Sequence, residues 1–277
     1  MTMAKGMTEL QMLQGEAAVS SEFVDGFLDT FLLNRLGSNV LMSQYIVGVD
    51  QVHPDGRRRG VTKGVVDLEC DPAKICREVA EEVQDVCLDQ TGLRPQVRVE
   101  AHSACGEDRG IPRFPYIPSF LKYMMSELLK NSCKATCRAA AAASGHEPGQ
   151  PVRGSAEARA ELSRRPILIV VCADETHIAI RVSDRARGIP FAVGNRVWSY
   201  LYSTARRGPT ELSGYGVGLP LSRLYARYLG GSLDLISMPG FGTDAYLMLP
   251  RLEASMMEVV PDNDHEYAYT SLATYAL

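Results

Sequence analysis

Gly214-Tyr-Gly-Val-Gly218-Leu-Pro220 sets three alternate glycines immediately ahead of a proline that can open a helix. Alternate glycines let a backbone approach a phosphate closely, and the free amides and dipole of the following helix point at the anion. Its surroundings narrow the kind of phosphate site. The motif follows a loop, not a strand, and has neither the further glycine of a dinucleotide-binding turn nor the Gly-Lys-Ser/Thr of a P-loop. Alone it is a weak signal, so its partners must be sought elsewhere in the chain.

Three stretches offer that partnership. Glu127-Leu-Leu-Lys-Asn131 lies in a helical run from Ser119 to about Ala142, where Glu127 and Asn131 project from one face and Lys134 follows three residues on. An amide carbonyl suits a hard cation such as Mg²⁺ whose shell is completed by nucleotide phosphates, and the carboxylate stays free to take a proton from a hydroxyl or water. By itself such a polar group is commonplace on a surface helix. Ser183-Asp-Arg-Ala-Arg-Gly188 follows a strand in which Ile178, Ile180 and Val182 alternate with polar neighbours. A strand-end carboxylate can be oriented to accept from an exocyclic amine such as that of adenine, although a lone Asp before a turn is ordinarily turn chemistry. Gly240-Phe-Gly-Thr-Asp244, taken singly, is a hairpin loop.

Around these stretches the pattern is mixed. Phe23, Phe27, Phe31, Leu32, Leu36, Val40 and Leu41 recur at helical spacing, giving an amphipathic helix over 22–47 after a poorly periodic start. Asp71 and Pro72 form an N-cap and first-turn pair for a second helix to about Gln90. A short strand is expected over Val97–Ala101, and 143–165, rich in Ala, Gly, Pro and Ser, reads as a surface insertion with no need of a fold. Strands at Ile167–Cys172 and His177–Val182 form a hairpin, a helical piece surrounds Trp198, and strands at Ser232–Ser237 and Asp244–Leu249 close the unit before an acidic tail. Helices mixed with hairpins make this an α+β chain.

The bulk numbers exclude some classes. With 277 residues, 45% of them hydrophobic, the chain can bury a full core. A net charge of −4 sets nucleic acid aside as a main partner, and no apolar run approaches the roughly 20 residues that span a bilayer. Seven scattered cysteines without a Cys-x-x-Cys pair read as buried free thiols in a reducing compartment. Residues 1–34 hold Lys5 as their one basic side chain ahead of Arg35, so no mitochondrial presequence is visible.

In their order along the chain, the E-x-x-K-N helix, the strand-end Asp turn, the G-x-G-x-G loop and the G-T turn resemble the GHKL ATPases. Longer stretches resemble the mitochondrial kinases of pyruvate dehydrogenase and branched-chain 2-oxoacid dehydrogenase. They are Phe27-Leu-Asp-Thr-Phe-Leu-Leu-Asn-Arg-Leu36, Phe114-Pro-Tyr-Ile-Pro118, Ala135-Thr136, Tyr202-Ser-Thr-Ala205, Gly218-Leu-Pro-Leu-Ser-Arg-Leu-Tyr-Ala226 and Gly240-Phe-Gly-Thr-Asp244. The resemblance implies a GHKL (Bergerat) ATP-binding α/β sandwich preceded by a shortened helical bundle. The implied division is a partial bundle over 1–92, the ATP-binding domain over 93–252 and a tail over 253–277.

It also implies roles. Glu127 resembles the general base, assisted by Lys130, and Asn131 resembles the Mg²⁺ ligand. Lys134, Asp184, Gly188, Ser203, Thr204, Gly214, Gly216, Gly218, Gly242 and Thr243 join Asn131 in the ATP site, with Asp184 on adenine. The implied reaction transfers the ATP γ-phosphate to a serine of the alpha subunit of the dehydrogenase's first component, inactivating it. A matrix location, a homodimer and docking to a lipoyl domain are implied as well.

Departures from the family keep a second reading open, a catalytically weak member acting as a regulatory partner. Ala186 and Arg187 stand where glycine is usual, and Ala186 at positive φ would carry strain on the order of 1–2 kcal/mol. Tyr45 stands where histidine is usual, the loop over 206–213 is short, only two long helices precede Val97, and the tail has no tryptophan.

Overall fold

A computed structural model describes residues 6, 7, 9, 10, 13, 20–52, 65–104, 111, 113–146, 152, 155–174, 176–202, 216–251, 257–261 and 267–271, the last two segments and 50–52 by backbone alone. Five strands form one sheet: β2 (Val97–Ser103), β4 (Ile167–Ala173), β5 (His177–Asp184), β7 (Gly242–Pro250) and β6 (Ser232–Met238), in that spatial order. Only β2 and β4 run parallel, and every other pair is antiparallel. This mixed sheet fulfils the α+β expectation, and the β4–β5 hairpin is fixed by Asp174, whose Oδ1 accepts from the amides of Thr176 (2.7 Å) and His177 (2.6 Å).

The sheet buries one face. Ile167, Ile169, Val171, Ile178, Ile180, Val182, Leu247 and Leu249 point from alternate positions into a core shared with α2 (Pro72–Thr91), α3 (Pro118–Ala143) and α5 (Gly218–Tyr228). Helix α2 begins as its sequence signals, with Asp71 Oδ1 accepting from the Lys74 amide at 2.9 Å, and Gly92 closes it at φ 75°. Its buried face, Cys76, Val79, Ala80, Val83 and Cys87, belongs to the same core as the sheet. The helix period says that α2 has an apolar face but not what covers it; the cover is the core shared with α3 and the sheet.

Helix α1 (Ser21–Val52) extends beyond its expected bounds, and its stripe is turned. Val24, Leu28, Leu33 and Leu36 are buried, whereas Phe23, Phe27 and Leu41 are exposed. Both ladders satisfy the three- and four-residue spacing, so periodicity could not choose between them. A short strand β1 (Asp67–Cys70) pairs with β3 (Phe114–Tyr116), neither of them expected from the sequence. The stretch read as an unstructured insertion contains α4 (Ala156–Ser163), capped by Ser155 Oγ on the Ala158 amide (3.2 Å) and anchored by buried Ala158 and Leu162. Beyond the domain, β8 (Met257–Pro261) pairs with β9 (Tyr267–Ser271).

Candidate nucleotide site

Helix α3 crosses the buried face of the sheet and carries Glu127, Lys130, Asn131 and Lys134 along one edge of its packed side. Glu127 is largely shielded, and its Oε1 is paired with Lys130 Nζ at 3.0 Å. Asn131 is exposed. Burial, and the charge of Arg138, pull the Lys134 ammonium below its usual range.

The four stretches singled out in the sequence meet here. From the first to the third, α5 starts at Gly218, and a Cβ built there would meet the Glu127 carboxylate, which would have to shift, so glycine lets the two stand in contact. An aromatic cluster holds the two helices together: Phe120 meets Tyr225 edge-on at 4.5 Å, and Tyr123 lies 5.0 Å from Tyr225. From the first to the second, the Ser132 hydroxyl, one residue beyond Asn131, lies near enough to Asp184 at the end of β5 to favour its charged form. From the second to the fourth, Asp184 Oδ1 accepts from the amides of Ala186 (3.0 Å) and Thr243 (3.3 Å). Gly242 presses on the Asp184 carbonyl so closely that a side chain would clash.

Asp184 is 6% exposed. Burial pushes its carboxyl up from the ordinary range, the Ala186 amide, the Ser132 hydroxyl and the Thr243 amide pull it partly back, and Asp244 adds a small push upward. The turn after Asp184 is braced on the far side: Ser237 Oγ accepts from the Ile189 amide (2.7 Å) and lies 3.0 Å from Thr243 Oγ1. The Arg187 amide donates to the Phe241 carbonyl (3.0 Å), and the Gly240 amide donates to the Arg187 carbonyl (2.8 Å).

The positive φ expected of Ala186 falls instead on Arg187, at 72°, and on Gly188, at 68°. Ala186 escapes because its amide turns back onto Asp184 in an Asx turn, which ordinary φ permits. Gly216, at φ 74°, accepts from the Leu201 amide at 3.0 Å and leads into Gly218. Ser203, Thr204 and Gly214 lie outside the described residues. Ser132 and Ser237 escaped the sequence reading. Ser132 had left a trace, as a hydroxyl between Asn131 and Cys133 on a helix whose neighbouring positions are apolar.

Comparison with known proteins agrees with this geometry. Residues 116–253 match the family described as histidine kinase-, DNA gyrase B-, and HSP90-like ATPase. The chain is 33% identical over 266 residues to the mitochondrial [pyruvate dehydrogenase (acetyl-transferring)] kinase of Ascaris suum, covering 94% of this chain and 61% of that protein. It is 33% identical over 262 residues to the Arabidopsis thaliana kinase of the same name, with 90% and 63% coverage. Against the human isozyme 4 it is 31% identical over 269 residues, with 94% and 59% coverage. The chain thus spans about three fifths of the length of these relatives. Residues 116–253 thus carry a GHKL ATPase domain, and over nine tenths of its length the chain is similar to the pyruvate dehydrogenase kinases.

Proposed function

We propose that the chain binds ATP with Mg²⁺ in the cleft between α3, the Asp184 turn and the start of α5, and transfers the γ-phosphate to a serine of the alpha subunit of pyruvate dehydrogenase. The observation that carries this reading is the convergence of Glu127 with Gly218, of Ser132 with Asp184, and of Asp184 with Thr243. The residues present fit such a ligand. Asp184 is a buried acceptor whose Oδ1 is fixed by two amides, which suits it to receive the adenine amine. Asn131 offers an exposed amide oxygen on the helix face that carries Glu127, and a cation held there would neutralise charge on the transferring phosphoryl group.

The roles of the chain's own groups follow from their places. Glu127 takes the proton of the substrate hydroxyl, and Lys130, paired with it, fixes its orientation. Lys134, on the same edge of α3, faces the phosphates with Lys130. Gly216 and Gly218 admit the phosphates to the amides that open α5. Gly188, Gly242 and Thr243 shape the base pocket, and Ser203, Thr204 and Gly214 supply the remaining contacts from the segment after Tyr202.

The relatives' names support pyruvate dehydrogenase as the substrate and the mitochondrion as the location. A lipoyl domain of the same complex is proposed as a docking partner. A homodimer is proposed through the face of the sheet on which, among the described residues, Ile236, Met238 and Met248 are exposed. The weak-member reading no longer rests on Ala186, which carries no positive φ; it rests on Arg187, at φ 72°, although the hydrogen bond from the Ala186 amide to Asp184 is made.

The test is a Mg²⁺-dependent ATP titration together with phosphate transfer to the dehydrogenase alpha subunit. Asn131→Ala should abolish both, whereas Lys122→Ala, at an exposed ion pair with Glu82, should leave them unchanged. Failure of the intact protein to bind ATP would defeat the proposal.

A further inference from the structure

Helix α1 reaches the glycine turn through a chain of contacts that the nucleotide cleft itself does not explain. Asp25 and Asp29, one turn apart on α1, both bind Tyr200. Asp25 Oδ1 accepts from the Tyr200 amide at 2.8 Å, and Asp29 Oδ1 accepts from the Tyr200 hydroxyl at 2.6 Å. Tyr200 is 5% exposed and shares a small separate core with Val24 and Leu28 of α1, against which Leu201 and Val217 also pack. The next residue, Leu201, donates its amide to Gly216 at 3.0 Å and sits at φ 66°, a left-handed conformation costly for a branched side chain. Arg196 lies 4.5 Å over the Tyr202 ring on the same segment. Two residues beyond Gly216, Gly218 touches the Glu127 carboxylate.

We infer that Asp25 and Asp29 are positioning residues for the nucleotide site, holding Tyr200 and the strained Leu201 so that Gly216–Gly218 lies in register against Glu127. This rests on the ATP-binding reading above. Strain of this kind persists only where neighbours over-determine it, and two carboxylates on one tyrosine are such an over-determination. Helix α1 and the nucleotide are then linked in both directions: whatever displaces α1 weakens nucleotide binding, and bound nucleotide steadies α1.

The experiment measures Mg-ATP affinity, melting temperature and nucleotide-free hydrogen exchange at 216–219 for the full chain and its variants. Tyr200→Phe removes one hydroxyl and keeps the buried ring. It should weaken ATP three- to tenfold and speed exchange at 216–219. Asp25→Ala should do the same, and Asp25→Asn, which retains an acceptor for the Tyr200 amide, should restore affinity to within twofold of wild type. Asp29→Ala should add nothing in the Tyr200→Phe background. Thr30→Ala, on the exposed side of α1, should change neither reading.

Faster exchange or a lower melting temperature with affinity unchanged to within twofold would overturn the positioning role, and would leave ATP binding standing if Asn131→Ala still abolished it. Absence of binding by the wild type would remove the nucleotide reading, and the positioning role with it.

Discussion

At the scale of single residues, the site is built by close approach more than by charge. Gly218 and Gly242 are glycines because a carboxylate and a carbonyl occupy the space a Cβ would need. Gly218→Ala should push the Glu127 carboxylate aside by about an ångström and lower kcat about a hundredfold, with a smaller change in ATP affinity, measured by steady-state transfer kinetics and titration. Arg187 is the reverse case, a side chain where φ 72° favours glycine. Arg187→Gly should stabilise the protein by about 1 kcal/mol, seen as a raised denaturation midpoint, while Ala186→Gly should not stabilise it.

Asp184 follows from burial. Its folded pKa is raised, so its contribution to stability is fully present below the unfolded pKa and is lost as pH rises through the folded one. Asp184→Asn should therefore melt no lower than wild type at neutral pH, lose that part of the pH dependence, and bind ATP poorly. A lower melting point at neutral pH with ATP affinity intact would contradict this.

At the scale of elements, legibility followed the strength of the local signal. Helix α2 announced itself through Asp71 and Pro72, and each does the work its type suggests. The hairpin of β4 and β5 was legible because β-branched residues alternate on both sides of a short polar turn. The strands β1 and β3 were not, since three or four residues give periodicity nothing to act on, and their pairing is a long-range contact. The four site motifs were legible as a set because each needs an unusual residue at a fixed offset. The links between them, such as Ser132 to Asp184, depend on how α3 lies on the sheet and leave little mark on the sequence.

Helix α4 was hidden by its Ala- and Gly-rich setting, though Ser155 caps it and Ala158 and Leu162 recur at helical spacing. It also braces the site. Arg165, just past its end, donates to the carbonyl of Arg185 at 2.9 Å, directly after Asp184. Leu162→Ala should cost about 2–3 kcal/mol in denaturant unfolding if α4 is packed as described. An unchanged midpoint would return the segment to the status of a loose insertion.

At the scale of the whole molecule, helices cover one face of the sheet, and on the other face Ile236, Met238 and Met248 are exposed among the described residues. Alternate residues of β5, β7 and β6, namely Ala179, Arg181, Tyr246, Met248, Asp234 and Ile236, share this second face by register. Ile236, Met238 and Met248 are 55%, 60% and 40% exposed, an apolar group on a sheet face that alternation would ordinarily fill with polar residues. A second copy of the chain can cover that face symmetrically without touching Glu127 or Asp184, which lie on the helical side of the sheet. If the homodimer forms there, Ile236→Glu with Met248→Glu should place like charges against each other and shift the sedimenting species to half its mass. ATP binding should persist, because neither side chain lies on the helical face that holds Glu127 and Asp184. Retention of the dimer by this variant would move the interface elsewhere.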